Sequence, residues 1–140
     1  MKTELYTAPT AQTDTLTVLC VDDDPCVADS TRRHLRKYNV EVLVALNGLQ
    51  GMSIAMSAKP DLIITDVRMP LADGSDLIDC ISSNQLLGHI PIIALTGAQE
   101  PNLKKNLEKL GAAAVLFKPI KPEALVKELQ KFVPIVKRRR

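Results

Sequence analysis

From Leu16 onward, short apolar runs alternate five times with longer stretches of helical spacing, and this alternation leaves very few architectures open. The runs are Leu16–Val21, Glu41–Ala45, Leu62–Thr65, Ile92–Leu95 and Ala114–Phe117. They are rich in Val, Ile and Leu. Continuous apolar runs of this length suit strands buried on both faces. Between them, Val27, Thr31, Leu35 and Tyr38 share one helical face. So do Met52, Ala55 and Met56, then Leu77, Ile78 and Ile81, then Leu103, Leu107 and Leu110. The last such set is Leu125, Leu129, Phe132 and Val133. Boundary residues agree. Asp24-Pro25 offers a cap followed by proline at the first helical position. Asn47 precedes the second helix, Gly111 follows the fourth, and Pro134 is expected to stop the fifth.

A strand–helix alternation implies a parallel sheet with helices on both faces. Right-handed crossovers at this length favour an α/β, flavodoxin-like (βα)5 fold with strand order 2-1-3-4-5. The 140 residues suit one domain. Residues 16–133 are expected to form it. The polar, Thr-rich stretch 1–15 reads as a flexible arm, and 134–140 as a basic, solvated tail. Three cysteines without a CxxC pair argue against a disulfide framework, a zinc site or a thioredoxin-type motif. Cys20 and Cys80 read as small buried hydrophobes, and Met52 and Met56 as core. No apolar run approaches the roughly 20 residues of a membrane span, and no signal peptide is visible. The expected location is therefore cytoplasmic, with no membrane partner. The net charge of +2 comes from an acidic body and a cationic end: residues 1–99 carry 7 basic and 12 acidic side chains. No specific nucleic-acid binding is expected, and the chain is expected to be a monomer or weak dimer.

In doubly wound sheets, ligands bind beyond the carboxyl ends of the strands. Here the first strand ends in Asp22-Asp23-Asp24, the third in Asp66, the fourth in Thr96-Gly97 and the fifth in Lys118-Pro119. Clustered carboxylates repel and gain proton affinity unless a cation intervenes. A hard divalent cation with oxygen ligands relieves that repulsion, and Mg²⁺ is the usual one beside phosphate. A carboxylate next to Mg²⁺ and a lysine can attack phosphorus to give an aspartyl phosphate. Asp24, as a helix cap, and Asp73-Gly74, as a turn and helix entry, need no chemical role.

The segments VLCVDDDP, DLIITDVRMPLADG, PIIALTG and GAAAVLFKP, each at a strand in this order, resemble the receiver domain of two-component response regulators, the family of the chemotaxis regulator. The resemblance implies a role for each matching residue. Asp66 is the phosphoacceptor. Asp23 is a direct metal ligand, Asp22 acts through water, and the backbone carbonyl of Arg68 completes the site. The metal is Mg²⁺, with Mn²⁺ able to substitute. Thr96 and Gly97 form the switch and access position, Lys118 pairs with the acceptor and then with phosphate, and Pro119 follows a cis bond. Val115 stands where the family often has an aromatic side chain that rotates on activation, which weakens that route.

The resemblance implies a phosphoacceptor fed by a histidine kinase or a histidine phosphotransfer protein, not an enzyme in the ordinary sense. Its output is expected through the fourth helix, fifth strand and fifth helix to a downstream protein, with no attached effector domain. The alternative is a receiver fragment of a longer regulator or hybrid kinase. An Asp-nucleophile phosphatase would want a second acid two residues after the nucleophile, where this chain has Arg68. A flavin-binding reading is opposed by the acidic first loop and by only two Tyr and two Phe.

Overall fold

The computed structural model describes residues 15–138, so the expected arm at 1–15 lies outside the described residues except for Thr15. The elements are β1 (Leu16–Val21), α1 (Pro25–Leu35), β2 (Val40–Ala45), α2 (Gly48–Ala58) and β3 (Leu62–Thr65). They continue with α3 (Gly74–Ser83), β4 (Ile92–Thr96), α4 (Leu103–Leu110), β5 (Ala114–Phe117) and α5 (Pro122–Leu129). The four strand pairings of this sheet are parallel and the order is β2-β1-β3-β4-β5, as the alternation predicted.

The central strands are apolar on both sides because both faces are covered. One core layer joins Leu19, Val21 and Ile63 of the sheet to Ala55, Leu77, Ile81 and Leu107 of α2, α3 and α4. The other joins Val18, Ile64 and Ile93 to Leu35, Leu125 and Leu129 of α1 and α5. The helix entries are fixed locally. Asp24 accepts from the Cys26 N–H at 2.9 Å with Pro25 opening α1. Asn47 accepts from Gln50 at 2.8 Å, and Asp73 caps α3 through Ser75 and Asp76. Two expectations about packing fail. Met56 is 43% exposed, because its neighbour Ala55 takes the inward position on α2. Cys80 is exposed between the inward-facing Ile78 and Ile81 of α3. Cys20 is buried in β1, and desolvation pushes its thiol up to about 11.

The segment after Val133 also departs from expectation. The fifth helix ends at Leu129, and tighter turns at Lys131 and Phe132 lead out before Pro134 is reached. The chain then doubles back along the α1–β2 corner. Ile135 is 2% exposed, in the same core layer as Leu35, Val40 and Val133. Asn39 N–H donates to the Val136 carbonyl at 2.9 Å, Val136 N–H donates to Asn39 Oδ1 at 2.8 Å, and Arg138 N–H donates to the Lys37 carbonyl at 2.7 Å. Residues 134–138 are thus tied to the α1–β2 corner by the buried Ile135 and by these hydrogen bonds, while Pro134, Val136, Lys137 and Arg138 stay exposed. Truncating it, Ile135→Ala, is expected to cost about 2–5 kcal/mol as a cavity substitution. Urea denaturation measures this. A variant as stable as the parent would show the strap to be dispensable.

Candidate functional site

The parallel topology carries the ends of β1, β3, β4 and β5 to one edge of the sheet. Asp22, directly after β1, is 4% exposed. Its Oδ1 accepts from the Asp24 N–H at 2.9 Å, which folds the acidic loop back on itself. Asp66, directly after β3, is tied in place by its N–H to the Val21 carbonyl at 2.8 Å. Its Oδ1 accepts from the Val67 N–H at 2.7 Å. Asp22, Asp23 and Asp66 each bring an oxygen to within 4.8 Å of the others, with Asp23 the most exposed of the three.

Lys118 enters from the end of β5, its N–H donating to the Thr96 carbonyl at 2.9 Å. Its Nζ lies 3.1 Å from Asp22 Oδ2 and 3.7 Å from Asp66 Oδ2. The resting ammonium is therefore held more closely by Asp22, whose side chain is the less exposed of the two, than by Asp66. The Lys118–Pro119 peptide is cis. Thr96 is 1% exposed, and its Oγ1 accepts from the Ala98 N–H at 3.1 Å. Beside it, a Cβ added at Gly97 would meet no heavy atom within 4 Å. Val115 is buried in the α3–α4 core layer, whereas Phe117 is 40% exposed.

Electrostatics follow from this packing. Burial raises the Asp66 pKa, the Asp22 and Asp23 charges add to the rise, and the Val67 N–H and Lys118 only partly oppose it. For Lys118, burial alone would lower the pKa, but the hydrogen bond and charge of Asp22, with Asp66 behind them, outweigh burial and raise it. Three carboxylates facing one ammonium leave an excess of negative charge. Hard oxygen donors with that excess fit Mg²⁺. Asp22, Asp23 and Asp66 would hold it and thereby neutralise the pocket.

Two features escaped the sequence. The Arg68 side chain spans two loops, pairing with Glu100 after β4 and with Asp73 Oδ2 at 3.6 Å. Gly74 presses against the acceptor: a Cβ there would overlap the Asp66 carbonyl oxygen and sit 2.8 Å from the Val67 Cα. The intervening Leu71 and Ala72 are left-handed, at φ 55° and 67°, although neither position is a glycine or asparagine. The "DG" pair did mark a turn, but nothing in it foretold the close approach.

Comparison with known proteins follows the same lines. The model of the response regulator receiver domain matches residues 18–130. Protein PilH of Pseudomonas aeruginosa is 30% identical over 112 residues, which cover 80% of this chain and 93% of that protein. Hybrid signal transduction histidine kinase D of Dictyostelium discoideum is 33% identical over 109 residues, covering 78% of this chain. Among solved structures, the chemotaxis protein CheY4 of Vibrio cholerae aligns with a TM-score of 0.79 at 31% identity, over 85% of this chain and 99% of its own. The chain spans 7% of the hybrid kinase and about half of the transcriptional regulators it matches. A match that begins within β1 and runs past the end of α5, carried also by a relative of almost the same extent, settles the membership: this chain belongs to the response regulator receiver domain family of two-component signalling.

Proposed function

We propose that the chain accepts a phosphoryl group on Asp66 from a histidine kinase or a histidine phosphotransfer protein, in a reaction that depends on Mg²⁺, and that this resets a protein-binding surface. The observation that supports this most is the convergence of Asp22, Asp23, Asp66 and Lys118 at one sheet edge with an excess of negative charge. Asp66 Oδ1 accepts from the Val67 N–H, so Oδ2, which faces Lys118 Nζ at 3.7 Å, is the oxygen left to attack phosphorus as the bond to the donor nitrogen breaks. A bound Mg²⁺ supplies neutralisation of charge on the transferred group. Lys118 can shift from its carboxylates to a phosphoryl oxygen, and the Thr96 hydroxyl can donate to another across the open space at Gly97.

The signal would leave through α4, β5 and α5 without an aromatic rotor, because Val115 is stiff at χ1 and carries no polar tip. A phosphoryl dianion two residues from Arg68 would compete with Glu100 for the guanidinium and so loosen the loop before α4. Hydrogen exchange with and without beryllofluoride, a phosphoryl mimic, tests this. Changes are expected across Pro101 to Phe132, and changes confined to α1 and α2 would refute the assignment of the surface.

The chemistry is tested with acetyl phosphate, Mg²⁺ and intact mass. A gain of one phosphoryl group is expected, and none without the metal. Asp23→Ala is expected to lose the gain and also the thermal stabilisation that Mg²⁺ gives the parent at neutral pH. Normal phosphorylation of Asp23→Ala would rule out this metal assignment. Turnover of a generic phosphate ester would instead favour the phosphatase reading.

A further inference from the structure

At the opposite end of the sheet, where β1 and β2 begin, lies a second charged cavity of about 490 Å³. Arg32, Arg36 and Arg138 line it, from α1, the end of α1 and the C-terminal strap, and Glu41 is its one acidic side chain among the described residues. β2 is an edge strand, and its outward carbonyls serve as anchors for two of the arginines. Arg32 Nη2 donates to the Val42 carbonyl at 3.0 Å and Arg138 Nη2 to the Val40 carbonyl at 3.0 Å. Arg138 Nε also donates to the Arg36 carbonyl at 2.9 Å. Residues two apart on a strand sit roughly 6.6 Å from one another, so the edge spaces these two guanidiniums at a fixed interval.

The pairing of the arginines separates this cavity from the rest of the surface. The other two described arginines have acidic partners: Arg33 with Asp29 at 3.5 Å, and Arg68 with Glu100 and Asp73. Among the described residues, Arg32, Arg36 and Arg138 have no ion pair. Each guanidinium carries five N–H donors in a planar fork, and the backbone anchors use only a few of them. Three like charges facing one carboxylate repel unless an anion joins them. The fork matches phosphoryl oxygens in pairs. Among the described residues no aromatic ring lines the cavity, so a base would find no stacking platform on them.

We propose that this cavity is a binding site for an oligophosphate chain, recognised through its linked phosphoryl groups by Arg32, Arg36 and Arg138, independent of phosphorylation at Asp66. The test is an amide-shift titration of the isotopically labelled chain with sodium tripolyphosphate, in chelator and at near-physiological salt. Saturable shifts are expected at Arg32, Arg36, Glu41, Val42 and Arg138. Arg36 holds its described neighbours through backbone atoms, its N–H on Arg33 and its carbonyl on Arg138, so Arg36→Gln leaves the strap anchored; it is expected to weaken binding about tenfold, as loss of a charge-assisted contact does. Arg33→Gln, the same charge change on the same helix, is expected to leave affinity unchanged. Glu41→Gln is expected to tighten binding about threefold by removing the repelling carboxylate. Orthophosphate should bind far more weakly, and ATP as tightly as tripolyphosphate, because the chain of phosphates is what the two share. Equal weakening by Arg33→Gln, shifts centred on Lys118 and Thr96, or AMP binding as tightly as ATP would each overturn the proposal. So would single-stranded DNA competing better than tripolyphosphate, since that would make the site a nucleic-acid contact.

Discussion

Asp66→Asn is expected to take up no phosphoryl group from acetyl phosphate and Mg²⁺ while remaining folded, and to be more stable than the parent in the absence of metal. The first outcome follows from chemistry: an amide oxygen is too poor a nucleophile to displace a leaving group from phosphorus. The fold should survive because the Asn carbonyl can still accept from the Val67 N–H, and because Lys118 keeps its nearer partner, Asp22, at 3.1 Å. The second outcome follows from the raised Asp66 pKa. A carboxyl whose pKa is raised by folding adds stability below its unfolded value, and that stability is lost as the pH climbs through the folded value. At neutral pH the ionised Asp66 is therefore a net cost, set by burial and by the Asp22 and Asp23 charges. Asparagine removes that cost, so the melting temperature in chelator should rise. The advantage should shrink as the pH falls into the ordinary carboxylate range, where Asp66 is protonated as well. Intact mass and metal-free thermal melts across pH read both effects. An equal phosphoryl gain in the variant would mean that another residue is the acceptor. A fall in metal-free stability at neutral pH would mean that the Lys118 contact outweighs the repulsion.

How much of this was legible in the sequence depended on how local each feature is. The strands and their order were readable because a run such as Leu62–Thr65 is buried on both faces and can sit only inside the sheet. The pocket residues were readable because topology places every strand end on the same edge, so Asp22, Asp66, Thr96 and Lys118 needed no knowledge of loop geometry to be brought together. Features that depend on loops and long-range contacts were not. The basic residues at 137–140 suggested a solvated end, yet Ile135, two residues before them, is buried and holds 134–138 on the α1–β2 corner. No pattern in a short segment distinguishes one buried isoleucine from an exposed one. The Arg68–Glu100 pair joins residues in separate loops, and neither residue signals the other. Arg68 was read only through its backbone carbonyl, whereas its side chain is what links the two loops flanking the acceptor.

Gly74→Ala is expected to damage both stability and phosphorylation although residue 74 contributes no functional group. At the first position of α3, alanine should on propensity alone be favourable by up to about 1 kcal/mol. Contact decides against it. The added Cβ would overlap the Asp66 carbonyl oxygen and lie 2.8 Å from the Val67 Cα and 2.9 Å from the Asp66 carbonyl carbon. All of these are backbone atoms, so no flexible side chain can yield. That backbone is itself held from several sides: Asp66 N–H on Val21, Thr65 Oγ1 on the Asp66 carbonyl, and Gly74 N–H on the Val67 carbonyl, each at 2.8 Å. Relief therefore requires the end of β3 to shift, or the entry of α3 to move away and lose the Asp73 cap. Overpacking of this kind costs about 1–3 kcal/mol, or more where the neighbours cannot move, read as a lowered urea midpoint at unchanged slope. A displacement of about 1 Å at a reacting group can cost on the order of a hundredfold in rate, so phosphorylation by acetyl phosphate should slow by roughly ten- to a hundredfold in the fraction that stays folded. Gly97→Ala is the matched control, because nothing lies within 4 Å of a Cβ there. It should leave the urea midpoint where it is, so that any change in its phosphorylation reports access to the pocket rather than a displaced acceptor. If Gly74→Ala proved as stable and as reactive as the parent, the contact between the start of α3 and the acceptor's backbone would not constrain the site.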